Sequence, residues 1–217
     1  MSRRALIQYL ELLKQSGVRQ LYLTPKNIEA APDKLQTLDN LKTAYGDCNK
    51  CPLAKGRINL VYGEGNPNAK AMLIGEAPGE QENDTGRPFV GAAGQLLDKM
   101  LAAINIRRED VYIANIVKCR PEGNRNPSQE ERLACLPYLV EQINIIQPQI
   151  FLILGLVAAQ TLFGDSNTLT WHRENRSEFM GRPTWVTYHP AALLRNPNWK
   201  RPAWEDLQAF QQAYEKL

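Results

Sequence analysis

Apolar residues recur at helical spacing in two stretches near the start of the chain. Leu6, Tyr9, Leu10 and Leu13 do so within residues 3–15, and Leu35, Leu38, Leu41 and Tyr45 within residues 34–45. Pro25 and Pro32 punctuate the interval between them. From Ile58 onward the pattern changes to short runs rich in β-branched and aromatic residues: INLVYGEG, AMLIG, DVYIANIV, IFLILG and TWVTYHP, which read as strands. Helical patterns lie between and after them. One covers residues 95–104, with Leu97, Met100, Leu101 and Ile104 on one face; others cover 129–146, 156–163 and 202–217. Ser128 with Glu131 three residues on marks the start of the second as a capping box, and Pro137 is expected to kink or restart it. Strands alternating with helices predict an α/β fold with a largely parallel sheet covered on both faces.

In such sheets ligands bind beyond the carboxyl ends of the strands. The residues that follow the strands are therefore expected to meet in one cleft: GEAPG after AMLIG, Asn115 in YIANIVKC, and His189 after WVTY.

Charge adds little at the level of the whole chain, with 26 basic against 23 acidic residues. Any polyanion site must come from local clusters, of which residues 118–125 and 195–201 are the densest; solvated faces are the competing reading. Gln8, Glu11 and Lys14 interrupt the apolar residues of MSRRALIQYLELLKQSG, which therefore does not read as a secretory signal. The longest apolar run, IFLILGLVAA, is shorter than the roughly 18 residues of a membrane span. A soluble, cytoplasmic protein is expected, and in that reducing compartment four cysteines are core thiols or metal ligands rather than disulfides.

Cys48 and Cys51 form a tight C-x-x-C pair, whereas Cys119 and Cys135 are widely spaced and distant in sequence. Structural zinc sites usually draw on two tight pairs. An iron–sulfur cluster is wider than one ion and accepts looser spacings, so cluster and zinc both remain open on spacing alone, as do unrelated core thiols. A metal site here would pin the 48–51 segment and the 119–135 region to the sheet.

The turn after AMLIG is glycine-rich, as in a phosphate cradle, yet it carries Glu76, Glu80, Glu82 and Asp84. It lacks the G-x-G-x-x-G of a dinucleotide site and the lysine of a P-loop. A carboxylate at Glu76 would repel phosphate, so the backbone amides of this turn suit a neutral ring or a carbonyl.

GEAPGEQEN, GRPFVGAAGQLL, NIVKCRP with NRNP, the four cysteines and HPAALLRNP together resemble the type 4 uracil-DNA glycosylases, over residues 45–217. The resemblance implies a three-layer α/β/α sandwich with a central, mainly parallel four-stranded sheet in a domain over 41–217, with residues 1–40 as a helical N-terminal extension. It implies a monofunctional DNA repair enzyme without lyase activity, acting in the cytoplasm on the nucleoid. The enzyme would hydrolyse the N-glycosidic bond of deoxyuridine in single- or double-stranded DNA, as a monomer with no membrane partner. A 4Fe–4S cluster on Cys48, Cys51, Cys119 and Cys135 is the implied cofactor.

By the same resemblance Phe89 stacks on uracil, Asn115 reads its edge, His189 faces O2, and the backbone of Gly75, Glu76 and Ala77 lines the pocket. An amide can accept from N3–H and donate to O4, and cytosine presents the opposite pattern. His189 and Glu76 are the implied catalytic pair, and Leu193, with Leu194 as the competing choice, the wedge that fills the space of the extruded base. Arg195 and Asn196, with Lys200 and Arg201 beyond, would hold phosphates. His172 matches no motif and is expected to be structural or superficial. Three positions depart from related patterns: Ala77 stands where type 1 enzymes carry a water-positioning aspartate, Gly79 where they exclude the thymine methyl with tyrosine, and Asn83 where type 4 enzymes have aspartate. The alternative is a relative that binds or traps uracil-DNA without turnover; the histidine of such a trap is missing from KCRPEGNRNPS.

Overall fold

A computed structural model describes residues 10–15, 33–175 and 177–217. Leu6 and Tyr9 of the first helical stretch lie outside the described residues, and residues 10–15 are helical. The second stretch forms α1 (Lys34–Ala44), opened by Asp33, whose carboxylate accepts from Leu35 N at 3.0 Å.

Among the described residues the sheet has six strands: β1 (Glu64–Gly65), β2 (Ala71–Gly75), β3 (Tyr112–Asn115), β4 (Ile150–Leu154), β5 (Ser177–Phe179) and β6 (Arg182–Thr187). Their order is β1-β3-β2-β4-β6-β5. The inner four are parallel, in the register Leu73 with Ile113 and Leu152, and Ile153 with Val186. Short antiparallel strands close each edge, so the four-stranded expectation describes the parallel centre of a mixed sheet. Of the run INLVYGEG only the last two residues pair as a strand. Gly63 and Gly65, with φ of 141° and 137°, take the backbone out of the extended region of the other residues.

β2 and β4 are buried at every position, which is why they read as unbroken apolar runs. Alternate residues serve different layers. Ala71 and Leu73 face a core built with α3 (Ala92–Ala103) and α8 (Lys200–Tyr214). Met72 and Ile74 face another, built with α4 (Gln129–Ile146), α5 (Leu156–Phe163) and Leu38 of α1. Helix α1 is tied to α4 by Lys34 Nζ, which donates to Ile146 O at 2.9 Å, and by Tyr45, whose ring lies 4.0 Å from that of Tyr138.

The capping box of α4 forms as expected: Ser128 N donates to Glu131 Oε2 at 2.7 Å, and Glu131 N to Ser128 Oγ at 3.2 Å. Pro137 does not restart the helix, which runs on as one element of 18 residues. The chain leaves β2 for β3 on one side and returns through α4 to β4 on the other. The switch point between β2 and β4 therefore opens at their carboxyl ends, where Gly75 and Gly155 stand.

Candidate active site

The turn after β2 is held against the turn after β3. Ile116 N donates to Gly75 O at 2.9 Å and Val117 N to Glu76 O at 3.1 Å, so the pairing continues past the ends of both strands. This brings GEAPG beside Asn115. Gly75 is required by contact rather than by conformation: a Cβ there would lie 2.4 Å from Asn115 Oδ1 and 2.6 Å from Phe89 Cζ.

Phe89 sits at φ 51°, in the left-handed region, which costs a bulky residue on the order of 1–3 kcal/mol. Three devices hold it there. Arg108 donates from Nη1 to Phe89 O at 3.0 Å and from Nη2 to Pro88 O, while also pairing with Asp98. Glu82, on the short helix α2 (Glu80–Thr85), accepts from Val90 N at 2.8 Å and Gly91 N at 2.9 Å through Oε1, and from Gly79 N at 3.1 Å through Oε2. The first turn of α3 comes so close that a Cβ on Gly94 would lie 1.9 Å from Phe89 O.

Asn115 closes the far wall. It is 1 % exposed, and its Oδ1 is buried without a hydrogen-bond partner among the described residues. Leaving a buried acceptor unpaired costs about 1–3 kcal/mol, a cost that a ligand donor would remove. Its backbone carbonyl accepts at 2.9 Å from Nζ of Lys118, a fully buried lysine that also donates to Gln142 Oε1 at 2.6 Å. Burial lowers the Lys118 pKa to about 8, with Cys135 acting in the opposite sense. Gln142 reaches on to Tyr62 O at 2.8 Å. Lys118 is thus no part of a basic surface cluster; it buttresses the strand end that carries Asn115.

His189 is the N-cap of α7 (Pro190–Arg195), and its Nδ1 accepts from Ala191 N at 3.2 Å. Burial, reinforced by Arg195 and opposed by Glu82, lowers its pKa to about 4. The ring is therefore neutral at neutral pH, and because Nδ1 is an acceptor the proton resides on Nε2. Its ring centroid lies 5.5 Å from that of Phe89.

These groups line one cavity of about 440 Å³, with Glu76, Ala77, Phe89, Asn115, His189 and Arg195 in its wall. The cleft expected from the strand ends is thus formed. Burial raises the Glu76 pKa, and Arg132 pulls the other way. Arg125 also borders the cavity, paired with Glu131 at 2.7 Å.

The sequence-based residues do not all fall where the resemblance put them. Leu193 is 2 % exposed and packs in the core with α3 and α8, whereas the next residue, Leu194, is 48 % exposed, so the geometry favours the competing choice. Arg195 is exposed, and Asn196 caps α7 through Nδ2 to Ala192 O at 3.3 Å. His172, in α6 (Leu169–Glu174), is buried and structural, stacked on Phe163 at 5.2 Å. Glu82 was legible only as one acid of a charged turn; its position three residues after the helix-opening Gly79 is the signal for its inward role. Lys118 and Gln142 gave no signal, because their roles depend on long-range contact.

The four cysteines border one region beside α4. Cys48 and Cys51 precede a 3-10 turn (Pro52–Gly56), Cys119 follows β3, and Cys135 sits in α4. Tyr138 OH donates to Cys48 Sγ at 3.0 Å, Lys118 N to Cys135 Sγ at 3.3 Å, and Arg57 Nη1 reaches Cys119 Sγ at 3.6 Å while bonding Cys48 O at 2.6 Å. All four are free of disulfides. Among the described residues no three side chains of the His, Cys, Asp and Glu types are grouped to hold a single ion. Four thiols with backbone, hydroxyl and guanidinium donors around their sulfurs are a donor set suited to a wider, thiolate-bound group.

Residues 62–208 match the family model described as the uracil DNA glycosylase superfamily. The chain is 43% identical over 184 residues to a type-4 uracil-DNA glycosylase of Pyrobaculum aerophilum, covering 80% of this chain and 92% of that protein. It is 47% identical over 151 residues to one of Thermotoga maritima, covering 69% and 79%, and 44% identical over 171 residues to one of Archaeoglobus fulgidus, covering 75% and 86%. The chain belongs to the uracil-DNA glycosylase superfamily, in its type-4 branch.

Proposed function

We propose that the protein is a DNA repair hydrolase that cleaves the N-glycosidic bond of deoxyuridine in DNA, releasing uracil and leaving an abasic site. The observation that carries the site assignment is the buried, unpartnered Oδ1 of Asn115 at a cavity also walled by Phe89 and His189. Uracil N3–H supplies the donor that this oxygen lacks, and cytosine, whose N3 is an acceptor, does not. The Phe89 ring replaces the stacking lost when the base leaves the duplex. As the bond to the sugar lengthens, negative charge grows on O2, where the neutral Nε2–H of His189 donates; such a donor contributes about 2.7–4 kcal/mol. The backbone around Gly75, Glu76 and Ala77 completes the wall, and the Glu76 carboxylate, at the same cavity, is the group that would orient the attacking water.

Cys48, Cys51, Cys119 and Cys135 would hold a 4Fe–4S cluster. When bound, the cluster is a structural staple between the 48–51 segment, the end of β3 and α4, and no chemical step passes through it. In this reading residues 41–217 are the catalytic unit and residues 1–40 an N-terminal extension, and the partner is uracil-containing DNA met by a monomer in the cytoplasm. Uracil release from a uracil-containing single-stranded oligonucleotide by the holoprotein tests the assignment. Release that is abolished by combining His189→Ala with Asn115→Ala is the expected result; no release by the wild type, or full release by the double variant, overturns it.

A further inference from the structure

Beyond the uracil pocket, one aromatic side chain is prepared for contact rather than for packing. Trp199 is 41 % exposed, in the 3-10 turn Pro197–Trp199 that follows α7. Its indole stacks on Tyr188 with centroids 5.2 Å apart and planes 25° from parallel. Tyr188 in turn is gripped by Arg173, whose Cζ lies 4.7 Å from the ring centroid. The guanidinium is fixed by Asp206 at 2.7 and 3.1 Å and by Pro202 O at 3.0 Å, and Asp206 also accepts from Thr187 Oγ1 at 2.7 Å. An exposed tryptophan is thus mounted on a rigid stack rooted in β6 and α8, next to the residue that precedes His189.

Its surroundings are cationic. Arg195 and Lys200 are exposed and have no carboxylate partner among the described residues, while Arg201 makes only a long pairing with Glu205 at 3.7 Å. Arg195 also lines the uracil cavity, which makes this surface continuous with the site. An aromatic face held open between unpaired cations is the arrangement that binds a single nucleic acid strand, with a base on the ring and phosphates on the charges.

We propose that Trp199 is a stacking platform for an unpaired base in the same strand as the extruded uracil, with Arg195 and Lys200 on the adjoining phosphates. The inference rests on the reading of the pocket as a uracil-DNA site and adds a preference for single-stranded or locally opened DNA.

The test uses the full holoprotein and a fluorescein-labelled oligothymidylate without uracil, so that binding is read apart from base release. Trp199→Ala is expected to weaken binding by about 5- to 150-fold, as loss of one base–aromatic stack does, and Trp199→Phe by only a few-fold. Wild-type tryptophan emission should be quenched on binding by more than that of Trp199→Phe, in which the reporting indole is gone. On a strand of abasic analogues, which has phosphates and no bases, wild type and Trp199→Ala should bind alike. Equal binding of oligothymidylate by wild type and Trp199→Ala overturns the proposal. So does a deficit that Trp199→Phe shares in full, or one that persists on the baseless strand, since either marks a structural effect. Uracil release by the wild type is measured separately: its absence would remove the glycosylase reading without altering the strand-binding result.

Discussion

The backbone N–H of Ala191 donates to Nδ1 of His189 at 3.2 Å, and this one bond decides which ring nitrogen carries the proton into the pocket. With Nδ1 accepting, a neutral imidazole presents Nε2–H. Because burial lowers the pKa to about 4, the neutral donor persists through the range where an ordinary histidine charges.

A pH profile checks this. His189→Ala should lower the single-turnover rate about 10²–10³-fold, as removal of an oxyanion donor does. In the wild type, no loss of rate should follow a titration near pH 6.5; the acid limb should follow Glu76, whose pKa is raised by burial, and should vanish in Glu76→Gln. Stability carries the same signature. Between about 4 and the unfolded value near 6.5 the unfolded chain binds more protons at this site than the folded one, so His189 makes stability rise with pH across that window and drop as pH falls. Chemical denaturation across that window should show a shallower dependence in His189→Ala.

Gly75→Ala should damage the site more than the fold. Its Cβ would enter within 2.4 Å of Asn115 Oδ1 and 2.6 Å of Phe89 Cζ, displacing both side chains of the cavity wall together. Overpacking of this sort costs about 1–3 kcal/mol in stability. The expected outcome is a modest fall in melting temperature with at least a hundredfold loss of uracil release, since a small misplacement of binding groups costs on the order of that factor. Wild-type release by a folded variant would show that Asn115 and Phe89 are not held where the geometry places them.

Periodicity alone carries most of the fold. The long apolar strands and the helix from Ser128 onward follow from local pattern because β2, β4 and α4 are specified by burial and capping. What pattern missed was tertiary in origin. Of INLVYGEG only Glu64 and Gly65 pair, with Ile113 and Tyr112 at the sheet edge, although hydrophobicity alone predicts a longer strand, and β5 is too short to register. In the site, Asn115, Phe89 and His189 were found through strand ends and the family resemblance. Lys118, by contrast, looked like one member of a basic cluster, and only the fold turns it inward onto Asn115 O and Gln142. Leu193 and Leu194 are indistinguishable in sequence, and the pitch of a six-residue helix sends one to the core and the other to solvent.

Glu82 should prove a positioning residue. Its carboxylate accepts from three backbone amides, of Gly79, Val90 and Gly91, and so keeps the loop bearing Phe89 closed at a left-handed φ. Glu82→Ala strands three donors, of which the buried Gly91 N alone costs about 1–3 kcal/mol if left unsatisfied. Melting temperature should fall and KM for uracil-DNA should rise. Glu82→Gln, which keeps an acceptor oxygen, should recover part of both. A Glu82→Ala protein with unchanged KM would refute the connection to Phe89.

If the four thiols hold a cluster, replacing one of them should loosen a defined part of the chain. Cys135→Ala should lower iron and sulfide content together and abolish visible charge-transfer absorbance. Limited proteolysis should then cut between residues 46 and 58, where the Arg57 bonds to Cys48 O and Cys119 Sγ depend on the thiols being gathered. A protein that keeps zinc instead of iron and stays colourless would contradict the cluster.

The two adjacent leucines should separate stability from DNA opening. Leu193 packs at 2 % exposure among α3 and α8, so Leu193→Ala should cost about 2–5 kcal/mol and show in thermal melting. Leu194, exposed at the end of the helix that begins with His189, contributes little to the core, and Leu194→Ala should melt as the wild type does. Its effect should appear on substrate: a wedge replaces the extruded base inside a duplex, whereas a single strand leaves no paired stack to refill. Uracil release by Leu194→Ala should therefore fall several-fold or more on U·A duplexes and remain near wild type on single strands. An equal loss on both substrates would assign Leu194 to general strand binding, and a duplex defect confined to Leu193→Ala would return the wedge to the buried residue against its geometry.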